Sequence, residues 1–358
     1  MNLKTLEILE EELVLAKATV HREGNEIFVT SDGKFVDVNG NRLINYCSGN
    51  FLGFDKNEIS GGQCGYCQIN NPFSCGNFDC LKQLEHKLAD FIKYDGVGIF
   101  SSYDALCADI FGSLAASGDA IIYDECVNPS IQRGIRLCKS VQVCRCRHND
   151  VGDMETALKI TQVNRLRFIV VDGIYLQYGH FSPLKKICAL AEKYDAIVVL
   201  DDSFGFLACG KNGLGSDEFC GVKGFAAIKL VNMQNALCAA SGAFIASDKT
   251  VVELVKRRTK AYQYSPSITL SDIFAANAIL LSNDLEKRLE TLHVKANFLC
   301  EKLKTLGLNP SKPCGGIVVC SAIEKFVSFQ ETIKSQGFLC QFIKHQGLMS
   351  AVFYVSAG

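Results

Sequence analysis

The chain has 358 residues, 48% of them hydrophobic and 21% charged, with a formal net charge of -1. That length and apolar content describe a large folded protein of two domains, or of one large domain with an appendage, and exclude a disordered chain. A near-neutral charge with no basic block leaves no electrostatic footprint for nucleic acid, which is set aside as a partner.

In chain order, Leu3, Leu6, Leu9 and Leu13 alternate with Glu7, Glu10, Glu11 and Glu12. This reads as an acidic amphipathic helix, neither a signal peptide nor a transit peptide, and no apolar stretch is long enough to span a membrane. Ile27-Phe28-Val29 and Phe35-Val36-Asp37-Val38 follow, with the turn signals Asp32-Gly33 and Asn39-Gly40 marking a hairpin. A loop over 60–77, rich in Gly, Asn and Cys, carries Cys64, Cys67 and Cys75, with Cys80 just beyond it. Four thiolates could hold zinc tetrahedrally, so a zinc-binding scaffold is one reading. The 18 cysteines in a chain without a secretory signal otherwise read as small hydrophobes rather than as a disulfide framework.

A helix over 80–94 places Leu81, Leu84, Leu88 and Phe91 on one face. A buried strand over 96–100 then runs into Ser101-Ser102-Tyr103 and a helix starting near Ala105. Such a turn either caps the helix or holds a phosphate on its free N–H groups. Further strands are expected over 120–124, 168–171 and 196–200, and a helix over 183–194. Cys144 and Cys146 share one strand face, and Asp150 in His148-Asn149-Asp150 is placed to cap the next helix. The strand over 196–200 delivers Asp201-Asp202-Ser203-Phe204-Gly205. Beyond it, 229–244 ends in small residues and Ser241-Gly242, which permit close backbone approach. A helix over 251–260, the turn Tyr262-Gln263-Tyr264-Ser265-Pro266-Ser267, a long helix over 273–306 interrupted near Ser282, and a small α+β unit complete the chain. The expected division is an N-terminal helix and hairpin segment over 1–54, a large α/β domain over 55–260 and a small domain over 261–358.

Several of these segments together carry a resemblance. Asn45 to Gly53, His148-Asn149-Asp150, Asp201-Asp202 and Asn235-Ala236-Leu237 through Ser241-Gly242 resemble the corresponding segments of the α-oxoamine synthases, a family of pyridoxal-phosphate enzymes. The resemblance implies the aminotransferase-like fold type I, a mixed, mostly parallel seven-stranded sheet between helices with a smaller C-terminal α+β domain. It also locates four departures. The Schiff-base lysine falls on Asn235, the ring-stacking histidine on Asn128, the histidine beside the ring hydroxyl on Phe204, and a further site histidine on Leu81. An amide nitrogen, with its lone pair delocalised, cannot form a Schiff base. Asp201, expected under the ring nitrogen, and Ser102 with Tyr103, expected at the phosphate, are retained as residual cofactor-binding candidates.

Asp172-Gly173-Ile174-Tyr175-Leu176 through Gly179 is similar to the non-catalytic subunits of serine palmitoyltransferase within that family. That resemblance implies a heterodimer in which a sister catalytic subunit holds the lysine and pyridoxal phosphate, and this chain binds no cofactor covalently. The shared site would take L-serine and acyl-CoA, with Ser265 or Ser267 reaching the partner's cofactor. It implies the cytoplasmic face of the endoplasmic reticulum, attached peripherally or through the partner. The other open reading is an active homodimer using an unusual lysine, for which Lys229 is the nearby amine.

Overall fold

Strand–helix alternation from 96 to 201 leaves parallel pairing as the way to bury each apolar run, because every return passes through a helix. The computed structural model describes residues 28–31, 35–38, 41–47, 51–54, 78–222, 224, 226–237, 241–321, 323, 326–345 and 348–357. In it the expected sheet forms. Its strands, numbered after the N-terminal β1 (Phe28–Ser31), β2 (Phe35–Val38) and β3 (Asn41–Tyr46), are β4 (Gly96–Phe100), β5 (Ala120–Asp124), β6 (Gln142–Cys146), β7 (Arg167–Asp172), β10 (Ile197–Asp201), β11 (Ile228–Asn232) and β12 (Ala243–Ser247). Between β7 and β10 lies a two-stranded ribbon, β8 (Ile174–Tyr175) with β9 (His180–Phe181). The large sheet has the order β4-β12-β11-β10-β7-β5-β6, with β12 antiparallel to both neighbours.

Both faces of this sheet are covered, so its central strands are continuous apolar runs rather than alternating ones. Ile121, Val170, Val199 and Leu230 pack with Leu106 and Ile110 on one side, while Ile122, Ile169, Val171 and Leu200 meet Leu158, Ile187 and Cys188 on the other. Asp150 caps the helix Val151–Ile160 through the Asp153 N–H, as its position suggests. Parallel strands of matched length bring their last residues to one edge. Asp172 and Asp201 are register partners there, and Asp124 ends the next strand, β5. This carboxyl edge is where open α/β sheets bind ligands.

The second sheet, β1-β2-β3-β14-β15-β13, joins the two ends of the chain: β13 (Ile317–Cys320), β14 (Phe338–His345) and β15 (Leu348–Tyr354) continue the N-terminal hairpin, with Ile44 pairing to Phe338. The strands expected in separate N- and C-terminal segments therefore share one sheet. The long helix expected over 273–306 with an interruption near Ser282 is two helices parted at 281–284. Leu270–Leu280 packs on the helix Asp79–Ile92 through Ile273, Ala276 and Ile279, and Leu285–Thr305 packs under the second sheet through Leu292, Ala296 and Cys300. Nine of the fourteen described cysteines are buried, and none of the fourteen is joined in a disulfide. Among the described residues no helix is long and apolar enough to cross a membrane. The acidic helix expected near the N-terminus and Cys64, Cys67 and Cys75 lie outside the described residues.

Candidate functional site

A cavity of about 380 Å³ opens at the carboxyl edge, between the first turn of the helix Tyr103–Leu114 and the ends of β5 and β11. Ser102, Tyr103, Asn128, Ser130, Asn232 and Ser241 line it, so hydroxyls and amides dominate its walls. Ser102 is the helix N-cap, its Oγ accepting from the Ala105 N–H at 3.3 Å. The same turn that could hold a phosphate therefore also serves as an ordinary cap.

Asp201 ends β10 and is 4% exposed. Its Oδ1 accepts from the Ser203 N–H at 3.0 Å and the Ser203 hydroxyl at 2.5 Å, while its Oδ2 accepts from the Tyr103 hydroxyl at 2.5 Å. Burial raises the Asp201 carboxyl above its ordinary range, against the lowering effect of these donors. Burial, reinforced by Asp201, also lifts the Tyr103 phenol well above its usual value, so the bond is a neutral O–H donating to a carboxyl oxygen. Asp172 lies beside Asp201 with one oxygen engaged: Oδ2 accepts from the Asn128 N–H at 3.0 Å, and Oδ1 is buried with no hydrogen-bond partner. Burial first, then Asp201, pushes the Asp172 carboxyl well above the usual carboxylate range.

The four departures have local roles. Asn235, in the short helix Met233–Ala236, donates its side-chain N–H to the Ser203 carbonyl at 3.2 Å. Asn128 caps the helix Pro129–Leu137, its Oδ1 accepting from the Ser130 N–H at 2.9 Å. Phe204 turns toward the apolar cluster beneath the second sheet, and Leu81 is buried against the large domain's core. Ser265 and the buried Ser267 line a small recess with Leu81, Ser101 and Tyr262, next to the cavity wall that Ser101 also forms.

Lys229 is 1% exposed and belongs to a separate polar core. Its ammonium donates to Asp202 Oδ2 at 2.9 Å, to Asp217 Oδ1 at 2.8 Å and to the Leu214 carbonyl at 2.8 Å, using all three N–H groups. Burial opposes its charge, but Asp202 and Asp217 outweigh burial and hold the ammonium above its ordinary range. A nucleophilic lysine needs a free lone pair near neutrality, which this setting denies. The packing leaves no slack either: a Cβ on Gly205 would sit 2.0 Å from Asp202 Oδ1, and one on Gly215, at φ +123°, 1.8 Å from Asp202 Oδ2. Among the described residues no amine lines the cavity, so none of them offers a Schiff-base nitrogen to a pyridoxal phosphate there.

Sequence reasoning singled out Asp201, Ser102, Tyr103, Asn128, Asn235 and the close-approach turn at Ser241, which the structure brings to this region, but gave no site role to Asp172, Asn232 and Ser130. Their only sequence signal is position, since Asp172 and Asn232 end strands and Ser130 lies in the first turn of the helix Pro129–Leu137.

Residues 67–348 match the aminotransferase class I and II family. The 2-amino-3-ketobutyrate coenzyme A ligase of Salmonella typhimurium is 34% identical over 252 residues, covering 68% of this chain and 63% of that protein. The chain thus spans less than two thirds of the Salmonella protein's length. The mitochondrial 2-amino-3-ketobutyrate coenzyme A ligase of Mus musculus is 30% identical over 316 residues, covering 85% of this chain and 75% of that protein. A serine palmitoyltransferase from S. paucimobilis, solved with a bound PLP–myriocin aldimine, superposes with a TM-score of 0.84 at 22% identity, over 100% of this chain and 94% of that one. The chain belongs to the aminotransferase class I and II family, and within it to the pyridoxal-phosphate-dependent α-oxoamine synthases.

Proposed function

We propose that this chain is the non-catalytic subunit of a serine palmitoyltransferase, paired with a lysine-bearing sister subunit that holds pyridoxal phosphate. The pair condenses L-serine with a fatty acyl-CoA to 3-ketodihydrosphingosine, the first step of sphingolipid synthesis, on the cytoplasmic face of the endoplasmic reticulum. In this reading the chain binds no cofactor covalently. It stabilises the sister subunit and supplies one wall of the shared active site, with Ser265 or Ser267 directed at the partner's cofactor.

One observation carries the reading. The residue that the resemblance sets at the lysine position is Asn235, and its amide is engaged with the Ser203 carbonyl beside an Asp201 whose two oxygens both accept hydrogen bonds from within the chain. The substitution is thus built into the local hydrogen-bond arrangement. Lys229, the amine an active homodimer would need, is committed to two carboxylates and a carbonyl.

The test is co-expression with a lysine-bearing homologue from the same source. A stable 1:1 complex that forms 3-ketodihydrosphingosine is expected, with neither chain active alone. After borohydride reduction the pyridoxyl label should lie on the sister subunit only. Label on a lysine of this chain, or turnover by this chain alone, overturns the proposal.

A further inference from the structure

At the ends of β5 and β6, Asp124, Cys126 and His148 bring a carboxylate oxygen, a thiol sulfur and a ring nitrogen within 4.8 Å of one another. Asp124 and Cys126 are each 1% exposed, and the His148 side chain 16%. The cluster belongs to neither the cavity nor the Lys229 core. We propose that it is a binding site for one divalent ion of the zinc class.

The donor set selects the metal. One thiolate, one imidazole and one carboxylate suit a borderline ion such as zinc, whereas magnesium and calcium take oxygen ligands throughout. Three protein ligands leave a fourth, tetrahedral position for water. Tetrahedral zinc with bonds of about 2.0–2.3 Å separates its ligand atoms by roughly 3.3–3.8 Å, so the cluster closes on an ion through side-chain adjustments of about 1 Å.

Each ligand is held in place. Asp124 Oδ1 accepts from the Cys126 N–H at 2.8 Å and lies 2.9 Å from His148 Nδ1, while Oδ2 accepts from the Asn149 N–H at 2.7 Å. A carboxylate has about four acceptor positions, and one on Oδ2 remains. The His148 ring stacks on Tyr178 at 4.7 Å and meets the edge of Tyr175 at 4.4 Å, which fixes its plane. Behind it, His180 Nε2 lies 3.5 Å from His148 Nε2, and the Asn149 side-chain amide is 3.3 Å from His180 Nδ1. An amide presents a donor or an acceptor according to its orientation, so Asn149 serves either tautomer of His180. With the ion on His148 Nδ1, its Nε2–H donates to His180, the kind of outer partner that orients metal-bound histidines.

Turn capping alone does not account for the cluster. Asp124 satisfies both backbone N–H groups without help, and needs neither a thiol nor an imidazole to do so. An ion here would fasten the turn after β5 to the His148-Asn149 turn and, through His180, to the β8–β9 ribbon. Two residues beyond Cys126 is Asn128, so the same ion would steady one wall of the cavity.

The test uses the full-length chain and zinc alone. Equilibrium dialysis should give one ion per chain, and X-ray absorption of the bound zinc should show one sulfur at about 2.3 Å among nitrogen and oxygen neighbours at roughly 2.0–2.1 Å. Cys126→Ser, a near-isosteric change, should remove the sulfur neighbour and weaken binding at least tenfold without lowering the metal-free unfolding temperature; His148→Ala should also weaken it. Cys64→Ser and Cys67→Ser should leave binding intact. Uptake well below one ion per chain, a shell without sulfur, or a Cys126→Ser chain that binds as the wild type does would overturn the proposal.

Discussion

The Tyr103 hydroxyl donates to Asp201 Oδ2 at 2.5 Å, and Ser203 fills Asp201 Oδ1, so a buried strand-end acid behind the cavity's Tyr103 wall is bonded on both oxygens from within its own chain. A buried acid lacking one of its donors keeps its desolvation cost and loses the compensation. Tyr103→Phe should therefore destabilise the chain by about 1.5–3 kcal/mol, the usual worth of a hydrogen bond to a charged group. Urea unfolding at pH 7 reads this directly, and an unchanged midpoint with an unchanged slope would show that the bond contributes nothing.

Asp172 makes the opposite prediction. Its folded-state pKa is raised by burial and by Asp201, above an unfolded value of about 3.9. The folded state then holds the proton more tightly than the unfolded state. Its favourable contribution is complete below about pH 4 and is lost as pH rises through the folded pKa. Asp172→Asn keeps an acceptor for the Asn128 N–H and removes that loss. It should be more stable than the wild type at pH 7, by on the order of 1 kcal/mol, since a tenfold difference in proton affinity between folded and unfolded chain corresponds to about 1.4 kcal/mol. The gain should shrink toward pH 4. A variant less stable than the wild type at both pH values would contradict the burial argument.

How far the sequence reaches is clear from these same residues. The strand over 120–124 and the Asp150 cap follow from local pattern, because hydrophobic runs and cap chemistry are encoded within a few residues. Tyr103 and Asp201 are 98 positions apart, and no periodicity links them. Lys229 reads from sequence as a cation stranded in an apolar strand, since Asp202 and Asp217 meet it only after β10 and β11 pair. Likewise, the hairpin 28–46 gives no sign that its partner strand begins at Phe338. Long-range pairing decides these contacts, and a single sequence does not display it.

Lys229 gives a third expectation. Lys229→Met leaves Asp202 and Asp217 buried without their shared cation, and breaking a buried pair by removing one partner typically costs about 3–5 kcal/mol. The Asp202→Asn/Asp217→Asn/Lys229→Met triple variant, which removes both charges as well, should recover part of that loss. Chemical denaturation of the three proteins decides it. Because the ammonium's folded pKa lies above its ordinary value, its contribution is complete below about pH 10.4 and is lost only as pH rises through the folded pKa. In Lys229→Met, however, Asp202 loses the charge that offsets its burial, so the folded variant holds that proton more tightly and the wild-type minus Lys229→Met difference should grow as pH rises through the variant's folded pKa. A single variant as stable as the wild type would remove this network from the account of the fold.

Ser265 and Ser267 test the shared site proposed above. Ser267 is 5% exposed, and both residues border the recess formed with Ser101. A hydroxyl that reaches the partner's cofactor phosphate makes a hydrogen bond to a charged acceptor, worth about 1.5–3 kcal/mol, or roughly a tenfold to hundredfold change in affinity. In the two-chain complex, Ser265→Ala/Ser267→Ala should weaken pyridoxal phosphate binding by at least that lower figure while 1:1 assembly persists. Cofactor titration of the stripped complex, followed at the sister subunit's absorbance, measures it. Loss of assembly would assign the two serines to the interface itself, and unchanged affinity with intact assembly would mean that neither hydroxyl reaches across.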